Sequence, residues 1–108
     1  KVLMQATITN YSSGELLIAA DSGSSVRLGR EEANRLVMTA RMHTVAEFVE
    51  KLPSLIGDSS LVGLILEGFE KMSSTDRWNL KEKFARLHTL TARFKPTGPA
   101  TVVEVVTL

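Results

Sequence analysis

The chain is 108 residues long, with 44% hydrophobic, 23% charged and 6% aromatic residues, the composition of an ordinary globular domain. Thirteen Lys and Arg stand against twelve Asp and Glu, for a net charge of +1, which excludes a polybasic nucleic-acid tail or an acidic disordered segment for the chain as a whole. There is no Cys, so disulfide scaffolds, thiol catalysis and thiolate metal sites are excluded.

Residues Val2–Tyr11 alternate, with Val2, Met4, Ala6 and Ile8 on one face and Gln5, Thr7 and Thr9 on the other. That is the pattern of a half-buried strand. Asn10-Tyr11-Ser12-Ser13-Gly14 supplies turn chemistry. Its first three residues also fit the N-x-[ST] glycosylation pattern, and we read them as a turn. Leu16–Ala20 predicts a second strand, Asp21-Ser22-Gly23-Ser24 a second turn and Ser25–Leu28 a third strand. Two closely spaced turns of this kind predict an antiparallel meander.

From Glu31 the apolar spacing becomes helical, through Leu36, Val37, Ala40, Val45, Phe48, Val49 and Leu52. Thr44-Val45-Ala46-Glu47 reads as a capping box, which divides the stretch into helices over residues 30–42 and 45–52. Pro53 disfavours helical backbone at Leu52 and sets the second boundary. Asp58 or Ser59 caps a third helix carrying Leu61, Val62, Leu64, Ile65, Phe69 and Met72. It is apolar over more than half its circumference, which predicts a place at the centre of the core. A further cap at Ser73 starts a fourth helix over residues 75–94, with Leu80, Phe84, Leu87, Leu90 and Phe94 in one stripe. Pro96-Thr97-Gly98-Pro99 ends it, and Thr101–Thr107 is rich in Val and Thr, as a last strand would be. The fold class expected is α+β: a small antiparallel sheet, made of the N-terminal three-stranded meander plus the C-terminal strand, packed against about four helices as a single domain spanning 1–108.

The chemistry searched for is absent as motif. His43 and His88 are far apart, and no H-E-x-x-H or calcium-loop spacing occurs, so no metal is expected. There is no G-x-S-x-G, P-loop or G-x-G-x-x-G, so no cofactor is expected. Gly57-Asp58-Ser59 is explained by helix capping, and Ser22-Gly23-Ser24-Ser25 by a hairpin in preference to an anion-binding turn. The helix pair over Leu36–Leu52 is faintly like a helix-turn-helix but lacks its turn glycine. An enzyme would need a site dispersed over residues such as Asp21, Arg41, His43 and His88.

Charge is uneven along the chain. Residues 71–95 carry seven Lys and Arg against Asp76 and Glu82. On a helical wheel Arg77, Lys81, His88 and Lys95 share one flank, and Trp78 lies nearly opposite the Leu80/Phe84/Leu87 stripe. Trp78 with Arg77, Lys81, His88 and Lys95 is therefore the expected partner-binding surface, with packing of Trp78 back onto Met72 as the alternative. The function expected is a non-enzymatic binding or adaptor module. It acts through protein–protein contacts and associates with itself as a homo-oligomer, through an open sheet edge or the partly apolar second face of the last strand. Nucleic-acid binding by the basic helix over 75–94 is the alternative, set back by the near-neutral overall charge. A small enzyme with a site not visible in the sequence comes third. No membrane span or signal peptide is expected, and the lack of Cys suits the cytoplasm. A start at Lys1 without Met suits a piece of a longer chain.

Overall fold

The computed structural model describes residues 5–11, 13–87 and 100–107, with backbone alone for Ser59 and for 100–107. Strands β1 (Gln5–Tyr11), β2 (Leu16–Ala20) and β3 (Ser25–Leu28) are followed by helices α1 (Arg30–Met42), α2 (Val45–Leu55), α3 (Ser59–Lys71) and α4 (Ser74–Ala85), then strand β4 (Ala100–Thr107). The sheet order is β3-β2-β1-β4, all antiparallel, so the architecture is α+β. Positions Val2 and Met4 of the first expected strand lie outside the described residues.

The two hairpins are built alike. Tyr11 N–H donates to the Glu15 carbonyl and Gly14 N–H to the Tyr11 carbonyl; Ala20 N–H donates to Ser24 and Gly23 N–H to Ala20. In each, a glycine takes the last loop position with positive φ, 89° at Gly14 and 100° at Gly23. A three-residue hairpin loop needs that left-handed residue, and only glycine adopts it without a Cβ clash. A Cβ on Gly23 would meet nothing within 4 Å, so Gly23→Ala isolates the backbone cost, expected at ~1–2 kcal/mol. Gly63 is the opposite case: an exposed mid-helix position with open space around it. Gly63→Ala should stabilise by roughly 0.5–1 kcal/mol, because helical glycine carries excess unfolded-state entropy. Paired urea melts of the two variants check both signs.

Alternation sets the buried face of the sheet. Ala6, Ile8, Leu16, Ile18, Ala20 and Leu28 point into the core, and Thr7, Thr9, Leu17 and Ala19 are only half-buried. Asn10, expected in a turn, is instead a strand residue on the inner face with 0% exposure. Its amide donates to the Glu15 carbonyl, and at that burial it is out of reach as a glycosylation acceptor in the folded chain.

Helix α1 is the central helix. Ala33, Leu36, Val37 and Ala40 are buried, and α1 meets β3, α2 and α4. Helix α3, expected at the centre, lies at the flank against α2. Leu61, Val62, Ile65 and Phe69 are buried, but Leu64 and Leu66 are only partly covered. Its wide apolar arc serves one helix on one side and an open surface on another.

Two helix ends differ from expectation. Helix α2 runs through Pro53 to Leu55. Proline removes one donor and the Ile56 N–H still reaches the Leu52 carbonyl, so the last turn closes around it. Helix α4 stops at Ala85, with Arg86 as its C-cap, short of the expected end at 94. The Arg41 guanidinium accounts for the break: Nε donates to the Ala85 carbonyl and Nη2 to the Leu87 carbonyl, so the orphan acceptors are satisfied from α1. Leu80, Phe84 and Leu87 are buried as a stripe, and Leu90 and Phe94 lie outside the described residues.

The capping box at α2 is fully formed. Thr44 N–H donates to Glu47 Oε1 at 3.0 Å, and Glu47 N–H to Thr44 Oγ1 at 3.2 Å. The hydrogen bond from the Thr44 backbone, then that from its hydroxyl, holds the Glu47 carboxyl below its ordinary 4.5, with His43 adding a smaller contribution. A depressed carboxyl stabilises the fold above its unfolded value, and that contribution is lost as pH falls through the folded one. A carboxyl-detected NMR titration should therefore place Glu47 below 4.5, and Thr44→Val should return it towards that value.

Candidate functional site

The corner between α3 and α4 fixes the site. Ser73 caps α4 by accepting from the Asp76 N–H at 3.2 Å. Arg77, one turn into α4, reaches back across the corner: Nε donates to the Phe69 carbonyl and Nη2 to the Glu70 carbonyl. These carbonyls belong to the last turn of α3, where a cation is favoured; the Phe69 carbonyl also accepts from the Met72 N–H at the C-cap. The arginine thus fastens the two helices at their junction. The next residue, Trp78, is carried clear of the core stripe and is 51% exposed.

Trp78 forms one wall of a groove of about 630 Å³ between α2, α3 and α4. Val45, Ala46 and Val49 line it from α2, where they fall on one side of the first two turns. Leu66, Phe69 and Glu70 line it from α3, and Ser74, Arg77 and Trp78 from α4. Phe69 is buried, Val45, Val49 and Leu66 are half-buried, and Ala46, Glu70 and Trp78 are exposed. The groove therefore has an apolar floor and a rim that water reaches. Its size is within the range of sites that take an organic ligand or a few anchor side chains.

Of the expected basic flank, Arg77 and Lys81 fall among the described residues, and neither is a free surface charge. Lys81 is 6% exposed, inside the stripe that includes Leu80 and Phe84, with the Glu82 carboxylate 3.8 Å from its Nζ. Helix α4 packs on both α1 and α2, and a wheel drawn for α4 alone, which leaves Lys81 open, takes no account of tertiary packing. Arg77 is half-buried and engaged with carbonyls. His88 and Lys95 lie outside the described residues. Of the five expected contact residues, the structure places Trp78 and Arg77 together on the groove and turns Lys81 inward.

The α2 and α3 walls are the part missed in the sequence. Val45 and Val49 read there as positions of the apolar helical pattern, and Leu66 does not stand out. The available signal was surplus: α3 is apolar over a wider arc than one packing neighbour can cover.

Among the described residues no three His, Cys, Asp or Glu side chains gather as a metal-holding group, and no helix is long and apolar enough to cross a membrane. Comparison with protein-family models, curated proteins and solved structures finds no match.

Proposed function

We propose that the protein is a non-enzymatic binding module, an adaptor whose contact surface is the α2–α3–α4 groove and whose anchor is Trp78. One observation carries this reading: the sole tryptophan of the chain is half-exposed on the rim of an apolar groove. An exposed tryptophan beside desolvated apolar walls is the chemistry of a protein hot spot. An amphipathic helix of a partner protein fits, since three helices already supply the walls for a fourth. The lack of Cys suits a cytoplasmic setting.

The test is a pull-down from source-cell extract, with and without nuclease, comparing the wild type with Trp78→Ala and Ala46→Arg. Ala46 is exposed, so arginine there fills the groove without disturbing the core. A protein partner retained after nuclease and lost with both variants supports the reading. A partner lost with nuclease supports nucleic-acid binding instead. Trp78→Ala should weaken a protein complex by about 2 kcal/mol or more, and more than any single charge substitution on the rim.

Self-association is a second part of the proposal. Strand β4 pairs with β1, and among the described residues nothing pairs with its other edge. Its sequence, ATVVEVVT, has no proline and one charge, so it lacks the usual protections of an edge. The opposite edge, β3, is four residues long and carries Arg27. A second copy adding to β4 would make a symmetric dimer with one continuous sheet. Sedimentation showing only monomer at high concentration would reject it.

A further inference from the structure

The groove has a sign, and it is opposite to the one the basic composition of this region suggests. Among the described residues Arg77 is the groove's only lining cation, and two of its nitrogens donate to the Phe69 and Glu70 carbonyls. Those carbonyls form the negative end of the α3 dipole, so the guanidinium charge is offset where it sits. Lys81 is buried. Lys71, next to Glu70, is bound to Glu67 at 3.1 Å.

The acidic side chains are in a different position. Glu70 lines the groove and is exposed; its backbone carbonyl accepts from Arg77, and its carboxylate has no hydrogen-bond or ion-pair partner among the described residues. Glu50 is not a lining residue but lies one turn beyond Ala46 on α2, on the neighbouring helix surface; it too is exposed, and its carboxylate has no such partner among the described residues. One unpartnered carboxylate at the lining, and a second on another helix one turn from the lining residue Ala46, thus stand close to an apolar floor.

We propose that the groove takes a basic amphipathic helix, with apolar side chains seated on Phe69, Leu66 and Val49 and Lys or Arg on its flanks meeting Glu70 and Glu50. This rests on the adaptor reading and adds the chemistry of the partner. Charge complementarity of this kind selects among partners and sets orientation more than it adds affinity. An acidic helix with the same apolar face would bring like charges together at both carboxylates.

The experiment uses two synthetic helical peptides with identical leucine positions, one with Lys and one with Glu on the polar face. Trp78 is the reporter, because it is the only tryptophan and it lines the groove. The Lys peptide should shift its emission to the blue and saturate, and the Glu peptide should bind about tenfold more weakly, a gap that narrows in high salt. Glu50→Gln with Glu70→Gln should close most of the gap while leaving binding of the Lys peptide measurable. Both substitutions are at exposed positions, so the variant should fold as the wild type does. Equal binding of the two peptides by the wild type, or tighter binding of the Glu peptide, overturns the charge assignment and leaves the groove reading standing. Binding that persists in Ala46→Arg overturns the groove reading itself. Binding of neither peptide overturns the inference, and the pull-down then decides the adaptor reading separately.

Discussion

Phe48→Ala should be among the most destabilising single substitutions in this protein, at about 3–5 kcal/mol. Phe48 has no exposed surface, and its ring lies 5.6 Å from that of Phe84, tilted at 48°. That pair joins α2 to α4, and both helices also pack on α1. Truncation removes the aromatic contact and leaves a cavity at the point where three helices meet. A small domain has only about 5–15 kcal/mol of net stability, so a loss of this size shifts the melting transition by tens of degrees or abolishes it. Phe48→Leu keeps most of the volume and should cost less than half as much. A ratio near one between the two variants, read from urea melts, would show that the site collapses around the truncation.

Deleting residues 101–108 should lower both stability and solubility. In the sheet, β1 is an interior strand because β4 covers its second edge, from Gln5 opposite Thr107 to Tyr11 opposite Ala100. Removing β4 strands the backbone groups of β1 that face it and turns an interior strand into an edge. The expected readouts are a melting temperature lower by at least about 10 °C, corresponding to ~2 kcal/mol in a domain of this size, and aggregation on standing. An unchanged melting temperature would show that β4 contributes no stability to the sheet.

These two residue sets differ in how they could be read beforehand. Phe48 announced itself by helical spacing after a capping box, and the box formed because Thr44 and Glu47 need only each other. The meander was equally local, fixed by two glycine-bearing turns. The return of the last strand to the sheet follows from what a lone strand lacks, and both its partner β1 and its register come only with the structure. Helix ends were harder wherever a distant side chain decided them. Arg41 closes α4 across the core from α1, and nothing near Ala85 signals it. The candidate site was legible in one residue. Trp78 stood apart from the stripe on a wheel drawn for α4 alone. Lys81 did too, but a wheel carries no information on tertiary packing, and Lys81 is buried. Arginine is ambiguous for a further reason: its planar fork binds backbone carbonyls as readily as a partner's anion, and Arg77 and Arg41 both do the former. The groove walls come from three helices, so no single segment displays them.

The strand order also bears on how the protein is made. During synthesis β1, β2 and β3 emerge first, and their hairpins close within microseconds because each partner is a few residues away. Translation adds only about 5–20 residues each second. For several seconds, while the four helices are being translated, the nascent meander presents two open edges, and that of β1 is the one β4 later covers. Pairing of β1 with β4 joins the first and last of the described strands and has to wait until β4 has cleared the ribosome. A folding intermediate with that edge open is the species on which a holdase or a neighbouring nascent chain would act.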